Sequence, residues 1–330
     1  MSEFFFGIDL GGTNVVMGLL DEEGEIKARR IAPTLVMEGP QSLVRRIAMC
    51  GRDLMAEAQV SSSAVKGVGI GTPGPISIAQ GKIITSCNLP GFDDFCLRGA
   101  CSELLGIPAA LDNDANAACW GEFWRGAGED ISDMVMFTLG TGIGGGIVCR
   151  GELVHGFGDN AGELGHIILA PDGRLCNCGQ RGCFEAYSSA NQTALRAEEE
   201  LDKGRASSLR EIRKQKGGQL TSKEVFDEAK AGDGLALEVV DGTAKYIALA
   251  SINMNHITEP KKVVLAGGMI QAGEILLSKV RQFYDALMWR ADLEPMEICY
   301  ARLGGDAGMI GAAGIALHAY RQDRLASVGI

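Results

Sequence analysis

The chain of 330 residues has no apolar run that approaches the length of a membrane span. Phe4-Phe5-Phe6 opens an apolar stretch, but no basic residues precede it and Asp9 interrupts it, so no signal peptide is expected. Positive charge is in deficit. Lys and Arg number 31 against 42 Asp and Glu, a net charge of −11, which disfavours nucleic acid or an anionic membrane as a partner. The ten cysteines follow no regular framework, a pattern that in a chain of this size indicates a reducing, cytoplasmic compartment. No G-x-x-x-x-G-K-[ST] run occurs either, which excludes a Walker-type phosphate loop. What is present is 46% hydrophobic residues and 46 glycines: enough apolar material for full cores, many tight turns, and a length suited to two domains.

The densest chemistry lies between Asn160 and Glu185, where His166, Cys176, Cys178 and Cys183 fall in one short span. Three thiolates and an imidazole suit a tetrahedral zinc ion with no position left for water, which makes such a site structural. Gly173, Gly179 and Gly182 would let the chain double back around an ion. Only one residue separates Cys176 from Cys178, where two to four is usual. The spacing therefore leaves a second reading open, three buried cysteines and a surface histidine. Glu163 precedes His166 by three residues and Glu185 follows Cys183 by two, so an ion here would fix two carboxylates and an imidazole as a polyol-binding wall.

Three glycine turns punctuate the rest. Phe4–Leu10 reads as a strand that stops at Gly11-Gly12-Thr13, and strands at Val15–Leu20 and Ile26–Ile31 complete an antiparallel meander. The first turn exposes backbone N–H groups beside a hydroxyl. It reads either as an anion-binding nest, with Asp9 holding Mg²⁺ through water, or as an ordinary hairpin. Gln41–Ala58 has helical spacing, Val65–Gly71 reads as a buried strand, Leu97–Leu105 as a short helix and Ala109–Leu111 as a strand. Asp112-Asn113-Asp114-Ala115-Asn116 then opens a helix running through Trp124. Its polar residues suit a ligand crevice at a positive helix end, and one of them could serve as an N-cap.

The opening theme returns in the strand Met134–Leu139, the turn 140–146 with Thr141 among glycines, and a strand at Ile147–Cys149. Two Gly-Thr turns in comparable settings suggest a duplicated fold with a nucleotide's phosphates between its halves. A charged surface segment (Leu195–Lys216), a capping box at Thr221, a long buried helix (Leu235–Ile257) and a strand at Val263–Ala266 follow. The third turn, Gly267-Gly268, offers bare backbone to a flat base. A helix (Glu274–Trp289), a strand near Ile298–Ala301 and a helix from Asp306 to Ala319 close the chain.

In order, D-L-G-G-T-N, G-T-P-G-P, L-D-N-D-A-N-A-A, G-T-G-I-G-G-G, E-L-G-H and C-N-C-G-Q-R-G-C-F-E resemble the ROK family of sugar kinases and repressors across nearly the whole chain. A-G-G-M, G-D-A-G and the insert before Thr221 look most like the family's bacterial ATP-dependent glucokinases. The resemblance implies an α/β actin-like ATPase (ribonuclease H-like) fold, duplicated, with two domains about a central cleft. One domain would be 1–112 plus 306–330 and the other 113–305. It implies ATP-dependent phosphorylation of the 6-hydroxyl of glucose, with Asp114 as catalytic base and Asn88, Asn113, Glu163, His166 and Glu185 on the sugar hydroxyls. Gly11, Gly12 and Thr13, with Thr141 and Gly142 opposite, would hold the ATP phosphates. Asp9 would orient Mg²⁺, and Gly267 and Gly268 would lie against the adenosine. His166 would give one ring nitrogen to zinc and the other to sugar, and the assembly would be a homodimer or homotetramer. A zinc site of this kind would order the sugar wall and leave the nucleotide site largely independent of it.

Two alternatives accompany this expectation. An N-acetylmannosamine or N-acetylglucosamine kinase would share the same motifs. A sugar-sensing regulator is disfavoured by the acidic charge, by the early position of Gly11, which leaves no room for a DNA-binding region, and by the intact Asp114.

Overall fold

A computed structural model describes residues 2–289 and 295–328; 290–294 and 329–330, which the expected domain boundaries enclose, lie outside the described residues. β1 (Phe4–Leu10), β2 (Asn14–Asp21) and β3 (Ile26–Pro33) form the expected antiparallel meander. After α1 (Pro40–Glu57), β4 (Val65–Thr72) pairs parallel with β1. The hairpin of β5 (Ile76–Ser77) and β6 (Lys82–Ile83) and the helix α2 (Leu97–Leu105) follow. β7 (Ala109–Asn113) then adds parallel to β4 and runs straight into α3 (Asp114–Arg125).

The second half repeats the plan. β8 (Met134–Leu139), β9 (Ile143–Cys149) and β10 (Glu152–Leu153) make another meander. The helices α4 (Glu185–Ser188), α5 (Ala190–Asp202), α6 (Leu209–Gln215), α7 (Ser222–Lys230) and α8 (Gly234–Thr258) precede β11 (Lys262–Ala266), which pairs parallel with β8. α9 (Glu274–Leu287) leads to β12 (Glu297–Tyr300), parallel to β11, and α10 (Ala307–Val328) ends the described chain. The sheet orders are β3-β2-β1-β4-β7 and β10-β9-β8-β11-β12, so each half is a meander extended on its first strand by two parallel strands. α3 follows the fifth strand of one sheet and α10 the fifth strand of the other.

Sequence pattern explains the layers. β1 is apolar on both faces: Phe6 and Ile8 meet Leu43, Val44 and Ile47 of α1, whereas Phe5 joins Met309, Ile310 and Ala313 of α10. A strand covered on both sides reads as a continuous apolar run. In the second sheet, Val135 and Phe137 face the core built by α5, α7, α8 and α9, while Met134, Met136 and Val148 face Cys119 and Trp120 of α3. The helices α3 and α10 therefore lie between the two sheets. Their contact is backbone on backbone, because a Cβ at Gly311 would collide with the carbonyl of Ala117 and one at Gly121 with that of Ala307. Glycine is required there for close approach.

One expected boundary moves. The run 140–146 was expected to be a single turn, but β9 already starts at Ile143 and the turn is confined to Gly140–Gly142, closed by Gly140 N–H to Gly142 O at 3.0 Å. The remaining glycines are strand residues pressed from both faces. A Cβ at Gly146 would lie 2.5 Å from Cβ of Cys119, and one at Gly145 2.6 Å from the Leu164 side chain. Among the described residues, no helix is long and apolar enough to cross a membrane.

Candidate active site

A cavity of about 550 Å³ opens between the two sheets, lined among others by Asp9, Asn88, Asp114, Thr141, Gly142, Glu185 and Gly267. Ala115 and Ala118 of α3 and Ala307 and Gly308 of α10 line it too, so two helix N-termini face one space and both favour negative charge there. Its lining holds three carboxylates, Asp9, Asp114 and Glu185, and among the described residues no Lys or Arg. Anion binding here falls to backbone N–H groups and to whatever cation the carboxylates recruit.

Asp114 is the first residue of α3. Asn113 caps the helix by accepting the N–H groups of Ala115 at 2.9 Å and Asn116 at 3.3 Å through Oδ1. Both readings of this residue are compatible, since capping uses the carbonyl oxygen, and the side-chain amide, which also hydrogen-bonds the Asp114 carboxyl, keeps a second N–H for a ligand. Burial pushes the Asp114 carboxyl above its usual range and the charge of Glu163 adds to the rise, against N–H donors at Ala115 and Asn113. Asp9 is the penultimate residue of β1, beside the start of α10, where a Cβ at Gly308 would lie 2.6 Å from its Oδ2. Burial, then the charge of Asp114, raises the Asp9 carboxyl to about 6. A carboxylate raised by a second carboxylate, in a lining without Lys or Arg among the described residues, suits a divalent ion.

Gly11, Gly12 and Thr13 form the β1–β2 turn, held by Gly11 N–H to Asn14 O at 2.9 Å and Thr34 Oγ1 to Gly11 O at 2.6 Å. They sit at the rim: a Cβ at Gly12 would lie 2.7 Å from the carbonyl of Asn88, which lines the cavity. Thr141 and Gly142 line it from the second sheet. Of the third turn, Gly267 faces the cavity, with φ +85° and no room for a side chain against Leu139. Gly268 instead lines an adjoining recess of about 100 Å³ with Ser222, Phe226 and Asp227 of α7.

The ligand atoms of His166, Cys176, Cys178 and Cys183 all lie within 4.8 Å of one another. His166 turns Nδ1 towards Cys176 Sγ at 3.8 Å, which leaves Nε2 on the other edge of the ring. A backbone N–H at Gln180 draws the Cys178 thiol down to about 7, whereas burial pushes Cys176 up to about 12 and Cys183 also upward. One ready thiolate beside two crowded thiols is a donor set that a soft cation satisfies. Glu185 bridges this cluster and the cavity, with Oε1 3.7 Å from Cys176 Sγ and Oε2 accepting the N–H of Ile143 at 2.8 Å. Glu163 precedes the short turn Leu164–His166 and acts on Asp114 through its charge.

The ROK family model matches residues 5–319. The chain belongs to the ROK family. It is 38% identical over 309 residues to a glucokinase of Halalkalibacterium halodurans, covering 93% of each chain. It is 33% identical over 308 residues to an N-acetylmannosamine kinase of Salmonella typhi, covering 93% of this chain and 96% of that one. The crystal structure of a ROK family glucokinase from Streptomyces griseus, in complex with glucose and AMPPNP, superposes with a TM-score of 0.75 at 29% identity, over 96% of this chain and 99% of that one. The fold is accordingly the actin-like ATPase fold of ROK sugar kinases.

Two residues of this ROK protein escaped the sequence reading. Asp112 is 2% exposed and accepts Asn113 N–H at 2.8 Å, Asn116 Nδ2 at 3.0 Å and His155 Nε2 at 2.7 Å. Asp112 was visible as one of a polar run, with nothing to separate it from its neighbours. His155 stands 43 positions away in a glycine-rich loop, and only the fold brings the two together.

Proposed function

We propose that this protein is an ATP-dependent hexose kinase that phosphorylates the 6-hydroxyl of glucose, with Asp114 as general base. The observation that carries the reading is a half-buried carboxylate of raised pKa at a helix N-terminus, facing a cavity rimmed by bare-backbone turns and, among the described residues, free of Lys and Arg. A raised pKa is what a base needs to accept a proton near neutral pH. As the sugar oxygen bonds to the γ-phosphorus, Asp114 takes its proton, the bond to the β,γ-bridging oxygen breaks and ADP leaves. Asn88, the amide nitrogen of Asn113, Glu163, His166 Nε2 and Glu185 hold the remaining hydroxyls.

The turns at Gly11–Thr13 and Thr141–Gly142 hold the phosphates, and Gly267 and Gly268 flank the adenosine. Asp9 would hold Mg²⁺, which supplies charge neutralisation at the phosphates that no Lys or Arg of the lining provides. His166, Cys176, Cys178 and Cys183 would hold a structural zinc ion whose role is to order the loop that ends in Glu185. The two units, 1–112 with 306–330 and 113–305, close over the sugar and exclude water, the competing acceptor. The unpaired cysteines support a cytoplasmic location, and light scattering reads whether the assembly is a homodimer or homotetramer.

ADP release measured over a panel of sugars tests the substrate. Glucose is expected to give the highest kcat/KM, with mannose and glucosamine poorer. The second reading, an N-acetylmannosamine kinase, is favoured by the relatives of that name at comparable coverage. A maximum at N-acetylmannosamine would establish it, and absence of phosphorylation of any sugar would remove the kinase reading itself.

A further inference from the structure

The Asp112–His155 pair is separate from every residue assigned above, yet it touches the element that carries Asp114. Asp112 is the penultimate residue of β7, and its carboxylate spans the strand-to-helix bend: Oδ1 accepts the N–H of Asn113 and Nδ2 of Asn116, one turn into α3. Those contacts fix the first turn of the helix. The carboxylate is nearly sealed from water, and a buried charge needs a paired donor to persist. His155 is that donor. Its Nε2 lies 2.7 Å from Asp112 Oδ2, and the hydrogen bond raises the imidazole's pKa above the ordinary value.

His155 also stands on a particular piece of chain. The segment from β10 continues through Asp159, which accepts the N–H of Ile78 at 2.8 Å, and Asn160, which accepts that of Ile76 at 3.1 Å. It then reaches Glu163 and His166. The imidazole therefore joins the strand-to-helix bend under Asp114 to the segment that carries the acceptor wall.

We propose that His155 is a positioning residue for phosphoryl transfer: by holding Asp112, it sets the first turn of α3 so that the Asp114 carboxylate meets the acceptor hydroxyl. This rests on the reading of Asp114 as the base. Displacing a reacting group by about 1 Å costs roughly 10²-fold in rate. The effect should appear chiefly in kcat, because the nucleotide turns are untouched, with a smaller rise in sugar KM through Asn113, whose N–H Asp112 accepts.

The test compares His155→Ala and His155→Gln with the unaltered protein in steady-state kinetics, alongside nucleotide-analogue titration and thermal unfolding. His155→Ala should lower kcat by about 10²-fold with a much smaller rise in sugar KM, and with nucleotide KM and analogue affinity nearly unchanged. His155→Gln, whose amide can donate to Asp112, should recover most of that loss. Asp114→Asn and the double variant Asp114→Asn/His155→Ala separate the two readings. If His155 acts through Asp114, the double variant is no slower than Asp114→Asn alone. Unchanged kcat in His155→Ala overturns the proposal, as does a loss that Gln fails to recover or losses that multiply in the double variant. Near-normal turnover in Asp114→Asn overturns the base assignment instead.

Discussion

Glu185 Oε2 accepts the backbone N–H of Ile143 at 2.8 Å, tying the cysteine loop directly to the Gly140–Gly142 turn. A second tie lies close by, from Ala190 N–H to the carbonyl of Gly140 at 2.8 Å. The turn proposed to hold phosphates thus rests on the segment that follows the cysteine cluster.

A side-chain substitution at Glu185 tests this tie. Glu185→Ala leaves the Ile143 N–H without its acceptor, a loss on the order of 1 kcal/mol, so affinity for a non-hydrolysable ATP analogue should fall about fivefold. Glu185→Gln keeps an acceptor oxygen and should bind the analogue almost normally. Calorimetric titration of both variants checks it, and equal affinities for Ala and Gln would contradict it.

Removing a cysteine ligand extends the same argument. Sequence alone gave no reason for the nucleotide site to depend on the metal, but Glu185 supplies one. Cys178→Ala should lose stoichiometric zinc and sugar phosphorylation together, and should also weaken analogue binding. Elemental analysis with the same titration decides it. Full analogue affinity in zinc-free protein would return the nucleotide site to independence.

Asp9 predicts a pH dependence. Its folded pKa of about 6 lies above the ordinary 3.8, so the folded protein takes up this proton as pH falls through about 6, before the unfolded chain does. Ionised Asp9 thus costs stability at neutral pH, and the cost disappears below that window. The same protonation would remove the carboxylate proposed to hold Mg²⁺, so magnesium-dependent nucleotide binding should weaken as pH drops below about 6. Asp114→Asn removes one cause of the rise and should move this limb to lower pH. An identical limb in both proteins would rule out the coupling.

For Asp114 itself, Asp114→Asn should lower kcat by about 10²–10⁴-fold while glucose binding persists. Glu163→Gln removes a charge that raises the Asp114 pKa, so the acid limb of kcat should shift to lower pH. A pH–rate profile reads both. Near-normal turnover in Asp114→Asn would falsify the assignment.

Much of this architecture is legible in the sequence. The strand at Phe4–Leu10, α2 at Leu97–Leu105 and the helix through Trp124 declare themselves by apolar period and by punctuation. Glycine is ambiguous where these are clear. Gly144, Gly145 and Gly146 look like a turn, and they are strand because Cys119 and Leu164 press on both faces, a demand set by partners remote in the chain. The motif residues of the site could be found because their chemistry is local to short runs. The His155–Asp112 pair could not, since neither residue has a local pattern and only the tertiary fold brings the loop after β10 to the end of β7.

The two halves also carry matching dipeptides where the central helices begin: Asp114-Ala115 opens α3 directly at the end of β7, and Asp306-Ala307 leads into α10 after a short turn beyond β12. Asp306 pairs with Arg29 Nε at 2.7 Å, a neutralised and half-exposed carboxylate. Asp114 has no such cation and is pushed towards protonation by burial. Of two aspartates at comparable helix starts, one is thus a clasp to an arginine of β3, and the other is the half-buried carboxylate proposed as the base.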